Sequence, residues 1–205
     1  MKVYTIQNAE IIKSLNSKGF YSTDSRFICD ESFLEPYQWL TNKAKTIISG
    51  WNTPRPIWVW KDRPDLRSHR FCSDPENPNN IIPSVLITLE IPREKILFTD
   101  FDLWHYVLNR CPVPYTPQED AILSKKFENT SFVSLNDLDP KLKIILTSTW
   151  DRIIWKDSSS YEKFHPDVFN PKLLRLQGIT EQINSSNIIN IKNFNMINTY
   201  KKKED

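Results

Sequence analysis

The stretch from Val85 to Asn109 constrains this chain most, because it strings together the signals of a strand, a tight turn, a second strand and a capped helix. Ile81 to Glu90 and Lys95 to Thr99 are β-rich runs joined by Ile-Pro-Arg-Glu, which reads as a hairpin. Asp100 or Asp102 then supplies a side-chain acceptor for the start of a helix over Leu103 to Asn109. The same stretch sets Glu90, Asp100, Asp102 and His105 at the ends of apolar elements, where a rigid scaffold presents chemistry.

The flanking segments give that unit partners. Met1 to Gln7 alternates in the manner of a central or near-central strand. Asn8 is placed to cap a helix carrying Ile11, Ile12 and Leu15, with Gly19 as its stop. Phe33, Tyr37, Leu40, Ala44 and Ile47 or Ile48 repeat at helical spacing up to Gly50, with Pro36 tolerated in the first turn. Ile57 to Lys61 reads as a strand with Trp58 and Trp60 on one face. Asp62 to Asn80 reads as a loop broken by Pro64, Pro75 and Pro78. Further on, Ala121 to Phe127 is a short helix, Lys141 to Thr149 is a helix end or a strand, and Leu173 to Ile183 and Ile188 to Ile191 are closing strands. No repeat or biased linker divides the chain, so residues 1–197 are expected to form one α+β domain, with 198–205 as a frayed basic tail.

Composition narrows the function classes. Against 25 acidic residues there are 27 basic ones, and a net charge of +2 gives no bulk attraction for nucleic acid, so any such partner needs a local patch. With only 3 glycines and no Walker or Rossmann motif, a glycine-rich phosphate loop is excluded. Cys29, Cys72 and Cys111 share no metal-binding spacing, which predicts reduced thiols and no zinc site. No apolar run reaches the length of a membrane span or a signal peptide, so a cytoplasmic location is expected.

Four residue groups can carry chemistry. Arg63, Arg67, His69 and Arg70 follow directly on Trp58 and Trp60, a combination suited to phosphate and a stacked base, as in a nucleotide or an RNA end. The competing reading is a solvated loop in which Lys61, Asp62, Arg63 and Asp65 pair among themselves. Glu90 is either a general base in a cleft or a strand-end carboxylate facing water. Asp102 and His105 lie on one helix face, so the carboxylate can orient the imidazole, or merely cap the helix. Gln177 is a polar residue beside Gly178 in an otherwise apolar strand, and a buried amide there needs partners, whether a ligand or a neighbouring strand.

Tyr4-Thr5-Ile6-Gln7, Pro64-Asp65-Leu66-Arg67 and Trp104-His105-Tyr106-Val107-Leu108-Asn109 together resemble a bacterial family catalogued as domain of unknown function 3841. The order of strand, helix, tryptophan strand, Ile-Thr-Leu-Glu-Ile-Pro and Leu-Gln-Gly-Ile-Thr-Glu-Gln-Ile is also similar to ADP-ribosyltransferase-like domains. That resemblance implies a pair of small sheets with flanking helices and NAD held between them. The family's His or Arg, Tyr or Ser, and Glu or Gln positions fall near Thr5, near Trp58 or Trp60, and at Gln177 or Glu181. It implies an NAD- or nucleotide-using transferase that modifies a macromolecule, RNA or a protein. Gln177, Glu90 and His105 would be catalytic, and Thr5, Gln7, Trp60, Arg67 and His69 would bind the cofactor. Because Thr5 and the tryptophans differ from the pattern, the alternative is a catalytically inactive nucleotide- or RNA-binding or protein-interaction module.

Overall fold

The computed structural model describes residues 1–23, 33–67, 71–72, 81–128, 130 and 134–198. In β1 (Lys2–Asn8), Val3 and Thr5 are fully buried on one face while Tyr4 and Ile6 are half-buried on the other. Asn8 Oδ1 accepts the Glu10 amide, α1 (Ile11–Lys18) buries Ile11 and Leu15, and Gly19 ends the helix at φ 76°, a left-handed conformation that suits glycine. After β2 (Phe20–Tyr21), α2 (Leu34–Ile47) buries Pro36, Leu40, Thr41 and Ala44. β3 (Ile57–Trp60), β4 (Phe71–Cys72), β5 (Ile81–Glu90) and β6 (Leu97–Asp100) follow, the last running straight into α3 (Phe101–Leu108). Then come α4 (Pro117–Phe127), α5 (Pro140–Trp150), β7 (Ile154–Trp155), β8 (Leu176–Thr180), β9 (Ile183–Asn184) and β10 (Ile188–Asn198).

Eight of these strands form one sheet in the order β4-β10-β5-β1-β3-β8-β6-β7, and β2 pairs with β9 separately. The first strand is therefore interior, as its alternation predicts. The expected hairpin between β5 and β6 does not form, because β1, β3 and β8 lie between them. The flanks of β5 are taken instead by β1, over Ser84–Glu90, and by β10, over Ile81–Leu89. Residues 141–149 resolve as helix, since Asp139 Oδ1 accepts the Lys141 and Leu142 amides and Pro140 occupies the first turn. The predicted closing strands also change bounds: β8 is short, and β10 continues to Asn198 instead of ending near Ile191. Within the predicted 62–80 loop, Phe71–Cys72 pairs in parallel with the end of β10. The expected pair of small sheets appears instead as two four-stranded halves that meet at a single ladder pair, Tyr4 with Trp60.

One hydrophobic cluster runs through the sheet and helices, with Trp39 of α2 set edge-on to Trp150 of α5 at 5.5 Å. Two carboxylates pin the helical layer. Burial favours the protonated Glu35 carboxyl, but hydrogen bonds from Ser134 Oγ, the Leu135 amide and Arg110 outweigh it and hold the group below its ordinary range. Glu119 is likewise raised by burial and lowered further by Arg152 and the Tyr115 amide, with a net shift downward. Among the described residues no helix is long and apolar enough to cross a membrane.

Candidate functional site

Ladder register sets a row of side chains across the sheet: Thr88 opposite Tyr4, Tyr4 opposite Trp60, Trp60 opposite Gln177, and Gln177 opposite Thr99. Direct partners in a ladder project to the same face, so these five share one surface. The alternation Ile57-Trp58-Val59-Trp60 turns both tryptophans to it and sends Ile57 and Val59 into the core. Trp58 is held by Trp104 of α3 at 5.4 Å and donates its indole N–H to the Tyr37 hydroxyl at 3.0 Å. Trp60 packs against Phe101 at 5.3 Å, and Phe101 against His105 at 4.7 Å.

Asp100 fixes the geometry at the far end of the row. Its Oδ1 accepts the Asp102 and Leu103 amides and its Oδ2 accepts the Arg175 amide, which ties the start of α3 to the start of β8. Burial pushes this carboxyl up, and the three backbone donors only partly offset the effect. The clamp leaves the Arg175 guanidinium over the Phe101 ring at 4.5 Å, where Asp102 pairs with it. Asp102 therefore does not orient His105. That task falls to the Phe101 carbonyl, 2.8 Å from His105 Nδ1; a carbonyl only accepts, so Nδ1 donates in this contact, and the ring is exposed.

Gln177 is only 5% exposed, and among the described residues its Nε2 has no hydrogen-bond partner. Thr99, fully buried across the ladder, has an equally unpartnered hydroxyl. A buried polar group left in this way costs about 1–3 kcal/mol, and Trp155 Nε1 is a third such atom among the described residues. Among the described residues, Gln177 Nε2 forms no cross-strand hydrogen bond.

The other predicted residues scatter. Thr5 lies on the opposite face from Trp60 and is fully buried; its hydroxyl donates to the Trp58 carbonyl and accepts from Gln7 Nε2, both at 2.8 Å. These two residues stitch β1 to β3 where the ladder is thinnest, because a polar bridge replaces missing main-chain bonds, and they do not meet Trp60 or Gln177 in one concavity. Glu90 is exposed at the end of β5, three strands from β8, or about 14 Å across the sheet. Glu181 Oε1 accepts the Asn52 amide at 2.8 Å. Arg67, whose side chain is 89% exposed, is tied through its backbone and guanidinium to Asp65. His69 lies outside the described residues.

Beside the Tyr4 end of the row is a cavity of about 220 Å³ that sequence reasoning missed. Lys2, Tyr4 and Arg63 line it together with Thr88 and Asn190. The period of two in β1 does place Lys2 and Tyr4 on one face, and that signal was available. The register bringing Arg63 and Asn190 to them was not.

A family model described as domain of unknown function (DUF3841) matches residues 2–189. No curated protein and no solved structure matches the chain.

Proposed function

Since the chain belongs to the DUF3841 family, a domain of unknown function, we propose its role from its own side chains: an NAD- or nucleotide-using transferase that modifies a macromolecule. The observation that carries this reading is the flat Trp60 ring beside the unpartnered Gln177 amide and Thr99 hydroxyl. A base or a nicotinamide offers a ring to stack, worth about 1–3 kcal/mol, and polar atoms at its edge for the buried groups. In the transfer step the bond between the nicotinamide nitrogen and ribose C1′ breaks, an acceptor nucleophile bonds to C1′, and His105 Nε2 takes the acceptor's proton.

A second reading, a nucleotide- or RNA-binding module without turnover, is favoured by the placement of the carboxylates. Glu90 is three strands from Gln177, both Asp100 oxygens accept backbone amides, and Glu181 is bonded to Asn52. Labelled NAD incubated with the protein in cell extract separates the two. The transferase reading expects label in the protein or nucleic acid fraction, falling at least tenfold with Gln177→Ala or His105→Ala. Calorimetric binding of NAD with no label transferred from the wild type would establish the second reading instead.

A further inference from the structure

We infer that the cavity between β1, β5 and β10 is an anion subsite that takes the phosphate groups of the nucleotide whose ring lies on Trp60. The inference rests on the nucleotide reading above. Lys2 comes from the first strand and Arg63 from the segment after β3, and both line the same small space. Among the described residues no carboxylate lines it, and the nearest acid is Glu90, the ladder partner of Lys2 on the same face, exposed at the strand end. The Lys2 ammonium lies over the Tyr4 ring at 5.9 Å, and with Arg63 it gives the cavity two cationic side chains, the groups that bind phosphate.

The remaining lining mixes the apolar Leu86 and Ile189 with two polar side chains. Thr88 offers a hydroxyl and Asn190 an amide donor, and both groups can hydrogen-bond phosphate oxygens. Asn190 reaches the cavity because β10 bulges: its register against β5 shifts between Ile188 and Asn190, which leaves Ile189 as the extra residue that also lines the space. Bulges of this kind re-aim side chains beside functional sites.

Size and position then identify what part of a ligand enters. At about 220 Å³ the cavity is smaller than the roughly 300 Å³ at which sites for whole drug-sized ligands begin, so it suits a phosphate or diphosphate and not a complete nucleotide. Tyr4 is the shared wall. It lines the cavity and is the ladder partner of Trp60, with Gln177 one strand further, about 10 Å away across two strand spacings. One nucleotide can place its ring on Trp60 and its phosphates between Lys2 and Arg63.

Titration calorimetry at low salt with adenosine, ADP and inorganic pyrophosphate tests the assignment on wild type, Lys2→Ala, Arg63→Ala and Arg63→Glu, with folding checked by circular dichroism. Lys2 and Arg63 are exposed, so these variants are expected to fold. The expected result is ADP binding weakened at least tenfold by either alanine variant and abolished by Arg63→Glu, with adenosine changed less than twofold. ADP binding that is insensitive to all three variants overturns the subsite and leaves the nucleotide reading standing. Pyrophosphate binding lost in Arg63→Ala, with no binding of adenosine or ADP, keeps the subsite and overturns the nucleotide reading. Failure of all three probes to bind wild type overturns both.

Discussion

Gln177 of β8 and Thr99 of β6 stand directly opposite each other in the ladder, both buried, and among the described residues neither the Gln177 amide nitrogen nor the Thr99 hydroxyl has a hydrogen-bond partner. Replacing the hydroxyl by a methyl of similar shape removes an unsatisfied group without opening a cavity. Thr99→Val is expected to leave stability unchanged or raise it by about 1 kcal/mol, while NAD affinity falls. Urea denaturation and calorimetry on the same preparation check the two halves. A loss of stability would mean that the hydroxyl has a partner in the folded protein.

Gly178, next to Gln177, tests how tightly the centre of the sheet is built. A Cβ there would lie 2.7 Å from Ile96 Cγ2, 2.9 Å from Phe98 Cδ1 and 3.1 Å from the Leu97 carbonyl oxygen. Phe98 is fully buried and a carbonyl in a ladder cannot swing away, so Gly178→Ala is expected to destabilise the fold by about 1–3 kcal/mol. The denaturation midpoint measures it.

Acid should act through Glu35. Its folded carboxyl is held below the ordinary value of 4.5, so the stability it contributes is complete above that pH and is lost as pH falls through the lowered folded value. Asp100 works in the opposite sense, because burial raises it and its ionised form is the one the fold disfavours. Glu35→Gln is expected to cost about 2 kcal/mol at pH 7, with a markedly smaller difference from wild type near pH 3. Unfolding free energies at the two pH values decide this.

Much of the local structure was legible in the sequence. The alternation of Val3 and Thr5 against Tyr4 and Ile6 marks β1, the Tyr37–Leu40–Ala44 spacing marks α2, and Asp100 is one of two residues anticipated as the cap of α3. Gln177 stood out as an amide among apolar neighbours. Strand order was not legible, because β8 pairs with β3 and β6 across long separations that no local pattern encodes. That gap explains two outcomes at the site. Thr5 was grouped with Trp60, although the register places it on the other face. Lys2, Arg63 and Asn190 were not grouped at all, since a bulge in β10 and the position of β1 bring them together.

The most direct test of the central claim is a calorimetric titration of NAD into wild type and Gln177→Leu, with Arg67→Ala as a control. The account predicts saturable binding to wild type, at least tenfold weaker binding to Gln177→Leu as its edge contacts are lost, and unchanged binding to Arg67→Ala, whose guanidinium is engaged by Asp65 on the surface. Equal affinity of wild type and Gln177→Leu, or no binding to wild type, would contradict it.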